Sequence, residues 1–286
     1  MQWTQQLPES KMVAQFSLAH LTALTCPPPD FIEIAAQAGY DFVGLRAIPV
    51  GAPNEPLYPL AADRTLFLRT QAAMKATGIR LLDIEVARIV KEVTPESYLP
   101  AMEAAAALGA RHVLSSAWCD DRAYIVDFFG RLCELAGPLG LSVDLEFVTW
   151  SGVRTLTEAA DVVAATDCDN AGILIDTLHF DRSRTTAAIL DSMPAHWFHF
   201  AQICDGPARY STEVEELTRV GRAERLYLGE GGIDVAAILR RLPPMPLSIE
   251  IPNLARLAEL GPALFAKRCL DSARSYLAAS SIELAG

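Results

Sequence analysis

The sequence predicts an α/β protein folded as a single (β/α)8 TIM barrel, and two observations carry that prediction. Short apolar runs typical of strands alternate with longer segments of helical periodicity along the whole chain. There are eight such runs, and the length of 286 residues suits a closed barrel. An open doubly wound sheet is the alternative. It is disfavoured because no GxGxxG or Walker-type GKS or GKT follows the first run.

The strand-like runs are, in order, VAQFSLA, DFVGLRAI, IRLLDIEVA, HVLSSA, LSVDLEF, AGILIDTL, WFHFAQIC and PLSIEI. Helical segments such as PPDFIEIAAQAGY, ESYLPAMEAAAALGA, YIVDFFGRLCELAGPLG and LTEAADVVAAT lie between them. Several end at a glycine just before the next strand, as in AQAGYD, MKATGIR and GPLGLS, which is a usual helix stop. No linker or repeat interrupts this order, so one domain is predicted over residues 1–286. The polar segment 205–232 is predicted to form a loop and short helix over the barrel mouth.

Composition limits the classes of partner. The formal net charge of −11 argues against nucleic acid and gives no support for binding to anionic lipid. No uninterrupted apolar span long enough for a membrane is present, and the opening MQWTQQLPESKMVAQF lacks the order of a signal peptide. Six cysteines without CxxC pairing indicate reduced thiols in a cytoplasmic protein.

Four side chains with oxygen donors stand at the downstream ends of consecutive strand-like runs. They are Glu146, Asp176, Gln202 and Glu250. Burying such groups is costly unless something replaces their hydration, and in a barrel of this kind all four would meet at one mouth. Oxygen donors in this number predict a site for a hard divalent cation. Neither Glu146 nor Glu250 has a basic neighbour in sequence, which favours metal ligation over buried salt bridges with arginine.

Three further polar residues lie at or near the ends of the first three runs. His20, Arg46 and Glu85 are therefore expected at the same mouth, as candidates for substrate binding. The alternatives are a structural ion pair between Arg46 and Glu85 and a structural role for His20.

His179 follows Asp176 by three positions, so it is a candidate to contact substrate or to orient a ligand, with a structural histidine as the alternative. Arg209, Arg222 and Arg225 lie in the segment after the seventh run. One of them could clamp a carboxylate or phosphate through two parallel hydrogen bonds. Arg222 is preferred because it precedes LYLGEG, and solvated surface charges are the alternative for each.

The motifs FSLAHLT, AAQAGYDFVGLR, LEF, IDTLHF, FAQICDGP, LYLGEGGID and SIEIPN follow one another in this order. Together they resemble the xylose-isomerase-like superfamily of sugar-phosphate isomerases and epimerases, which also includes class-II apurinic endonucleases. The resemblance implies one divalent metal ion held by Glu146, Asp176, Gln202 and Glu250. Gln202 stands where histidine is common, and this version resembles a subset that includes 3-dehydroshikimate dehydratases.

The expected activity is metal-dependent isomerisation or epimerisation of a small sugar or polyhydroxylated keto compound, with Glu146 and Glu250 transferring the proton. Mn²⁺ or Mg²⁺ is the expected ion, with Co²⁺ or Zn²⁺ as alternatives. A dehydratase-like lyase and a non-catalytic binding module are the competing hypotheses. An endonuclease is disfavoured because Arg46, Glu85 and CDGPAR replace the extra histidines that the resemblance requires. A homo-oligomer is expected from the resemblance alone.

Overall fold

Eight parallel strands close into a barrel in the computed structural model, which describes residues 14–52 and 55–282. The strands are β1 (Phe16–Leu18), β2 (Phe42–Leu45), β3 (Arg80–Ile89), β4 (His112–Ala117), β5 (Ser142–Glu146), β6 (Ala171–Asp176), β7 (Ala201–Ile203) and β8 (Leu247–Ile249). Each strand pairs with the next along the chain, and β8 pairs in parallel with β1. The predicted (β/α)8 barrel is confirmed. The first thirteen residues, to which the signal-peptide argument applies, lie outside the described residues.

Helices follow the strands around the outside of the barrel. Within the described residues they are α1 (Pro28–Ala38), α2 (Arg64–Thr77), α3 (Leu99–Ala107), α4 (Arg122–Ala136), α5 (Leu156–Thr166), α6 (Thr177–Arg182), α7 (Val214–Ala223), α8 (Val235–Leu239) and α9 (Leu254–Ala279). Short 3-10 turns cover His20–Ala23, Pro95–Tyr98, Gly137–Leu139, Ala187–Ser192 and Ala195–Trp197. Helix α9 is kinked at Gly261, which precedes a proline. Among these helices none is both long and apolar enough to span a bilayer.

Helix boundaries follow from local side-chain chemistry. Asp63, Asp121 and Thr155 cap the first turns of α2, α4 and α5 by accepting a hydrogen bond from a backbone N–H three positions on. Helices α1 and α2 end at Gly39 and Gly78, whose φ angles of 95° and 78° are left-handed and suit glycine. The glycine stops expected from the sequence are therefore confirmed at these two helices.

The apolar side chains separate into two buried clusters, as alternation along strands requires. The larger cluster fills the space between the strands and the surrounding helices, with Phe31, Phe129 and Phe265 among its fully buried members. The smaller cluster comes from the opposite faces of the strands, inside the barrel. Its members are Phe42, Leu82, Val86, Leu114, Leu174 and Phe200.

The seventh predicted strand is much longer than the observed one. Of the run WFHFAQIC, only Ala201–Ile203 forms β7, and Ala195–Trp197 forms a 3-10 turn. The ladder with β8 begins where Ala201 pairs with Leu247. The apolar character of the earlier residues reflects burial of a connection, which sequence alone does not distinguish from a strand.

The segment 205–232 contains helix α7, and the carboxylate of Asp205 accepts hydrogen bonds from both of its ends. Asp205 Oδ1 accepts hydrogen bonds from the backbone N–H groups of Gly206 and Ile233, at 2.8 and 3.0 Å. Its Oδ2 accepts from those of Gly229 and Gly231, at 3.1 and 3.0 Å. Asp205 thus fastens both ends of the segment beside the end of β7, and the helical part extends to the mouth of the barrel.

Gly172 on β6 leaves room inside the barrel for the Asp144–His199 pair. A Cβ at position 172 would overlap the Asp144 carboxylate and approach His199 Nδ1 to 2.6 Å. We expect Gly172→Ala to destabilise the fold by about 1–3 kcal/mol, measured by urea unfolding. In Gly130→Ala, the added Cβ on α4 would lie 3.6 Å from Thr166, an ordinary contact, so equal or greater stability is expected there. Equal effects at the two positions would contradict this account of the interior.

Candidate functional site

A cavity of about 470 Å³ opens at the carboxyl ends of the strands. Among the residues singled out from the sequence, it is lined by Arg46, Glu85, Glu146, His179, Arg222, Arg225 and Glu250. Val86 and Leu114, from the apolar cluster inside the barrel, also contribute to the lining. The mouth predicted to carry the polar groups is therefore the mouth that holds the cavity.

Glu146, Asp176 and His179 form the tightest polar group at this mouth. Each offers one ligand atom such that the three atoms lie within 4.8 Å of one another, and all three residues are buried. His179 Nε2 lies 3.8 Å from Glu146 Oε1, and its Nδ1 is buried without a hydrogen-bond partner among the described residues. Burial lowers the pKa of His179 to about 4, so its imidazole is neutral near pH 7.

Asp176 is held by the start of helix α6. Its Oδ1 accepts hydrogen bonds from the backbone N–H groups of Leu178 and His179, at 2.8 and 3.1 Å. Burial opposes ionisation of this carboxyl, but Arg225, His179 and these hydrogen bonds bring its pKa below the usual value. Asp176 is therefore a carboxylate fixed in position, and its Oδ2 atom can still accept one further interaction.

Gln202 and Glu250 are joined on neighbouring strands. Gln202 Nε2 donates to Glu250 Oε1 at 3.1 Å, which fixes the orientation of the amide. The opposite atom, Gln202 Oε1, is buried and accepts no hydrogen bond from any described residue. A buried acceptor without a donor is costly, and it identifies an oxygen available to a ligand or an ion.

Arg225 places its guanidinium between Asp176 and Glu250. Nη1 lies 2.5 Å from Asp176 Oδ2 and Nη2 lies 2.8 Å from Glu250 Oε2, while Nε donates to the carbonyl of Gly221 at 2.8 Å. The inference that Glu250 has no arginine partner is therefore wrong. Its partner lies 25 residues earlier in the chain, so the absence of basic sequence neighbours did not reveal it. Glu146 forms no ion pair with an arginine among the described residues. The sequence had identified Arg225 only as one of three loop arginines.

The donor set still fits a hard divalent cation, with Arg225 as a neighbour of the ligands. Asp176 and Glu250 share one guanidinium and Glu146 pairs with no described arginine, so ionisation of all three carboxyls would leave an excess of negative charge in a buried place. Burial and the neighbouring carboxylates raise the pKa of Glu146 well above its usual range. Burial raises that of Glu250 to about 8, although Arg225 opposes the shift. Glu146 and the oxygen of Gln202 remain open as donors, and oxygen donors suit Mg²⁺ or Mn²⁺.

Arg46 and Glu85 pair with each other on the opposite side of the cavity. Arg46 Nη2 lies 2.8 Å from Glu85 Oε2, and Arg46 Nη1 lies 3.4 Å from Glu55 Oε1. The ion pair weighed as an alternative in the sequence is therefore present. Both residues line the cavity, and Glu85 Oε1 is buried without a hydrogen-bond donor among the described residues.

His20 and Arg209 are not brought to the cavity. His20 is buried behind its wall, stacked on Tyr58 and packed against the tilted ring of Phe31. Its Nδ1 accepts from the backbone N–H of Arg46 at 3.0 Å, so its Nε2 carries the proton and donates to the carbonyl of Cys26 at 2.8 Å. Arg209 is exposed and does not line the cavity. The position of His20 fits the structural role given above as its alternative. The position of Arg209 fits the alternative of a solvated surface charge.

Sequence reasoning missed three residues that line the cavity. Trp118 and Trp150 follow β4 and β5, and Arg88 lies near the end of β3. Trp150 packs edge-on against His179 with ring centroids 4.8 Å apart. Their positions just after or near strand ends are the signal from which they could have been predicted.

A second group, His112, Asp144 and His199, lies at the opposite end of the barrel strands. His199 Nδ1 is 2.6 Å from Asp144 Oδ1, and His112 Nδ1 is 2.7 Å from the hydroxyl of Ser142, which donates to Asp144 Oδ2. The two imidazole rings are stacked at 12°. Because each nitrogen lone pair lies in its own ring plane, two nearly parallel rings do not converge on one ion. This group is a hydrogen-bonded network.

The similarities to known proteins agree with the barrel fold described above. A family model described as a xylose isomerase-like TIM barrel matches residues 32–268. Inosose isomerase from Bacillus velezensis is 23% identical over 229 residues, covering 74% of this chain and 77% of that protein. A 3-dehydroshikimate dehydratase from Pseudomonas aeruginosa is 29% identical over 136 residues, covering 46% of this chain and 21% of that protein.

Among solved structures, a crystal structure described as IOLI protein with a binding zinc atom has a TM-score of 0.72 and 17% identity. The likeness covers 93% of this chain and 97% of that chain. At this identity it shows a shared fold.

The Arg225 ion pairs generate a prediction about stability. We expect Arg225→Ala to destabilise the protein by about 3–5 kcal/mol, because two buried carboxylates would lose their cation. Arg219→Ala, on the same segment, removes an exposed guanidinium from Glu216 and Glu224 and should leave stability close to that of the wild type. Urea unfolding of both variants in metal-free buffer measures the difference. An Arg225→Ala protein as stable as the wild type would show that the carboxylates need no guanidinium.

The placement of His20 generates a prediction about pH. Burial lowers the pKa of His20 to about 4 from an ordinary value of 6.5. The unfolded chain thus takes up the proton first as the pH falls, and the stability that neutral His20 contributes is lost between about pH 6.5 and 4. We expect the stability advantage of wild type over His20→Gln to shrink across this window, by up to about 3 kcal/mol. A constant difference in urea unfolding from pH 7 to 4 would contradict the assignment.

Proposed function

The chain belongs to the xylose isomerase-like TIM-barrel family, and from this premise we propose that it is a divalent-metal-dependent isomerase or epimerase of a small polyhydroxylated carbonyl compound. The match over residues 32–268 confirms the resemblance seen in the motifs. The observation that carries the proposal is the meeting of Glu146, Asp176, Gln202 and Glu250 beside one cavity. Two of these carboxylates line that cavity, where they can reach a substrate.

The four oxygen-bearing residues are proposed to hold one ion. Gln202 Oε1 supports this role because it is buried and no described residue donates a hydrogen bond to it. Asp176 and Glu250 support it because their orientation is fixed by other hydrogen bonds. When bound, a divalent cation supplies positive charge for the oxygen that becomes negative as a proton leaves the adjacent carbon. Mn²⁺ or Mg²⁺ is proposed from the oxygen donors. The zinc named in the description of the neighbouring structure supports a divalent ion of some kind.

Glu146 is proposed to remove the proton from the substrate carbon. It accepts no hydrogen bond from the described protein, so a lone pair of its carboxylate is free to accept the proton. Glu250 lines the same cavity and is proposed to return a proton to the substrate. Its Oε1 is held by Gln202 and its Oε2 by Arg225, which keeps this carboxyl in one orientation.

His179 is proposed to bind a hydroxyl of the substrate. It lines the cavity beside Glu146, and its Nδ1 has no partner among the described residues. A neutral imidazole can donate one hydrogen bond and accept another, which suits the hydroxyl groups of a sugar. The inosose isomerase relative acts, by its name, on a compound of this class, and this likeness supports the choice.

A dehydratase-like lyase is the second candidate. Gln202 at the ligand position resembles the subset that includes 3-dehydroshikimate dehydratases, and one such protein matches over part of this chain. Both reactions begin with removal of a proton next to a carbonyl. The lyase would then expel a hydroxyl group as water, which leaves a conjugated product that absorbs ultraviolet light.

The proposed chemistry is tested with Glu146→Gln. We expect this variant to lose turnover by about 10²- to 10⁴-fold, because its amide does not act as a base. The screen would use ketoses, inososes and 3-dehydroshikimate with the metal-loaded protein. Deuterium uptake from D₂O at the carbon next to the carbonyl would report isomerase chemistry, and new ultraviolet absorption would report the lyase.

The matched control is Glu259→Gln, which removes an exposed carboxylate on α9 that does not line the cavity. Metal content is measured on all three proteins by elemental analysis. Full turnover in a folded Glu146→Gln protein would remove this residue from the mechanism. Purified wild-type protein that binds no divalent ion, even after dialysis against Mn²⁺, would overturn the metal dependence.

A further inference from the structure

Four arginines line the cavity, and they differ in how their charge is balanced. Arg46 and Arg225 are each paired with buried carboxylates. Arg88 and Arg222 line the same cavity, yet neither lies within 4 Å of a carboxylate of any described residue. In a protein with a formal charge of −11, carboxylates are abundant, so two unpaired guanidinium groups at the substrate cavity need a physical explanation.

Arg88 is held in place without being neutralised. Its guanidinium lies over the ring of Trp118, 4.5 Å from the ring centroid, and Nη1 donates to the carbonyl of Val50 at 2.9 Å. Trp118 is itself fixed by a hydrogen bond from Nε1 to the hydroxyl of Ser116 at 2.9 Å. Arg88 Nε is buried without a partner among the described residues. Stacking on an aromatic face orients a guanidinium while leaving its edge open to an anion.

Glu55, a carboxylate that lines the same cavity as Arg88, is already engaged. Glu55 Oε2 accepts hydrogen bonds from the backbone N–H groups of Val50, Gly51 and Ala52, at 2.9, 2.9 and 3.2 Å. Its Oε1 faces Arg46 at 3.4 Å. Glu55 is therefore engaged by the backbone and by Arg46, and it forms no ion pair with Arg88 among the described residues.

Arg222 adds a second cation to the same region. It lies in the last turn of α7, is exposed, and makes no hydrogen bond or ion pair with a described residue. Arg88 and Arg222 line one cavity, and burial, together with the charge of Arg222, lowers the pKa of Arg88. Two cations that face one cavity repel each other, and an anion bound between them would offset that repulsion.

We propose that Arg88 and Arg222 form a subsite for an anionic group on the substrate, a carboxylate or a phosphate. This inference rests on the proposed function, since it takes the reacting carbon to lie beside Glu146. The substrate class would then be an anionic polyhydroxylated carbonyl compound, either a keto acid or a phosphorylated ketose, in preference to a neutral sugar. Arg222, from the segment 205–232, and Arg88, from β3, would grip the charged end of the molecule between them.

The experiment measures anion binding separately from turnover. Inorganic phosphate and malonate are titrated by calorimetry into the metal-loaded wild type, Arg88→Gln, Arg222→Gln and Arg219→Gln. We expect about tenfold or greater weakening in Arg88→Gln and Arg222→Gln. Arg219→Gln removes the same charge from the same helix, outside the cavity lining, and should bind as the wild type does. Tighter binding of phosphate would assign a phosphate ester, and tighter binding of malonate would assign a carboxylate.

Turnover then distinguishes the two proposals. Glu146→Gln should keep the anion affinity of the wild type while losing turnover, whereas Arg222→Gln should raise KM for an anionic substrate at least about tenfold with kcat within about threefold. Arg222 is exposed, so its variant is expected to fold even if Arg88→Gln does not. Unchanged anion affinity in Arg222→Gln, or no binding of either anion to the wild type, would overturn the subsite whatever Glu146→Gln does. Full turnover by Glu146→Gln with the arginine effects intact would overturn the proposed chemistry and leave the subsite standing.

Discussion

Arg225 supplies the positive charge that lets carboxylates from β6 and β8 lie side by side at the mouth of the barrel. Its Nη1 is 2.5 Å from Asp176 and its Nη2 is 2.8 Å from Glu250, and all three side chains are buried. Without it, two buried negative charges would repel each other across β7. Gln202 lies on that intervening strand and donates to Glu250, so the guanidinium and the amide together set the position of the last glutamate. Glu146, which neither group contacts, remains the free carboxylate of the site.

The fold was accessible from sequence because its signals are local and repeated. Alternating strand and helix periods, with glycine stops at Gly39 and Gly78, recur at regular intervals, and each repeat adds support to the same architecture. Strand length was less accessible. The run before β7 is apolar because it is buried, and burial gives a 3-10 turn and a strand the same composition. Only pairing with β8, a contact between distant parts of the chain, decides where β7 begins.

The candidate site was accessible to the extent that it follows from strand ends. Parallel strands bring their carboxyl ends to one mouth, so Glu146 and Glu250 could be placed there from order alone. The arginine partner of Glu250 could not, because Arg225 reaches it only through the folded path of the segment 205–232. Such contacts depend on the path of the chain in space. His20 shows the converse, since it lies near a strand end but turns both nitrogens toward the backbone.

Asp205 accepts hydrogen bonds from both ends of the segment that carries Arg222 and Arg225. The segment therefore has its own point of attachment beside the barrel. Changes of length or composition between these two ends need not alter the register of the eight strands, because lengthening an anchored loop has a modest entropic cost. The segment at the mouth could therefore be engineered for substrate selectivity without changing the barrel. A library that varies the stretch ahead of Arg222, with Asp205 and Arg225 retained, offers a route to new substrates on an unchanged scaffold.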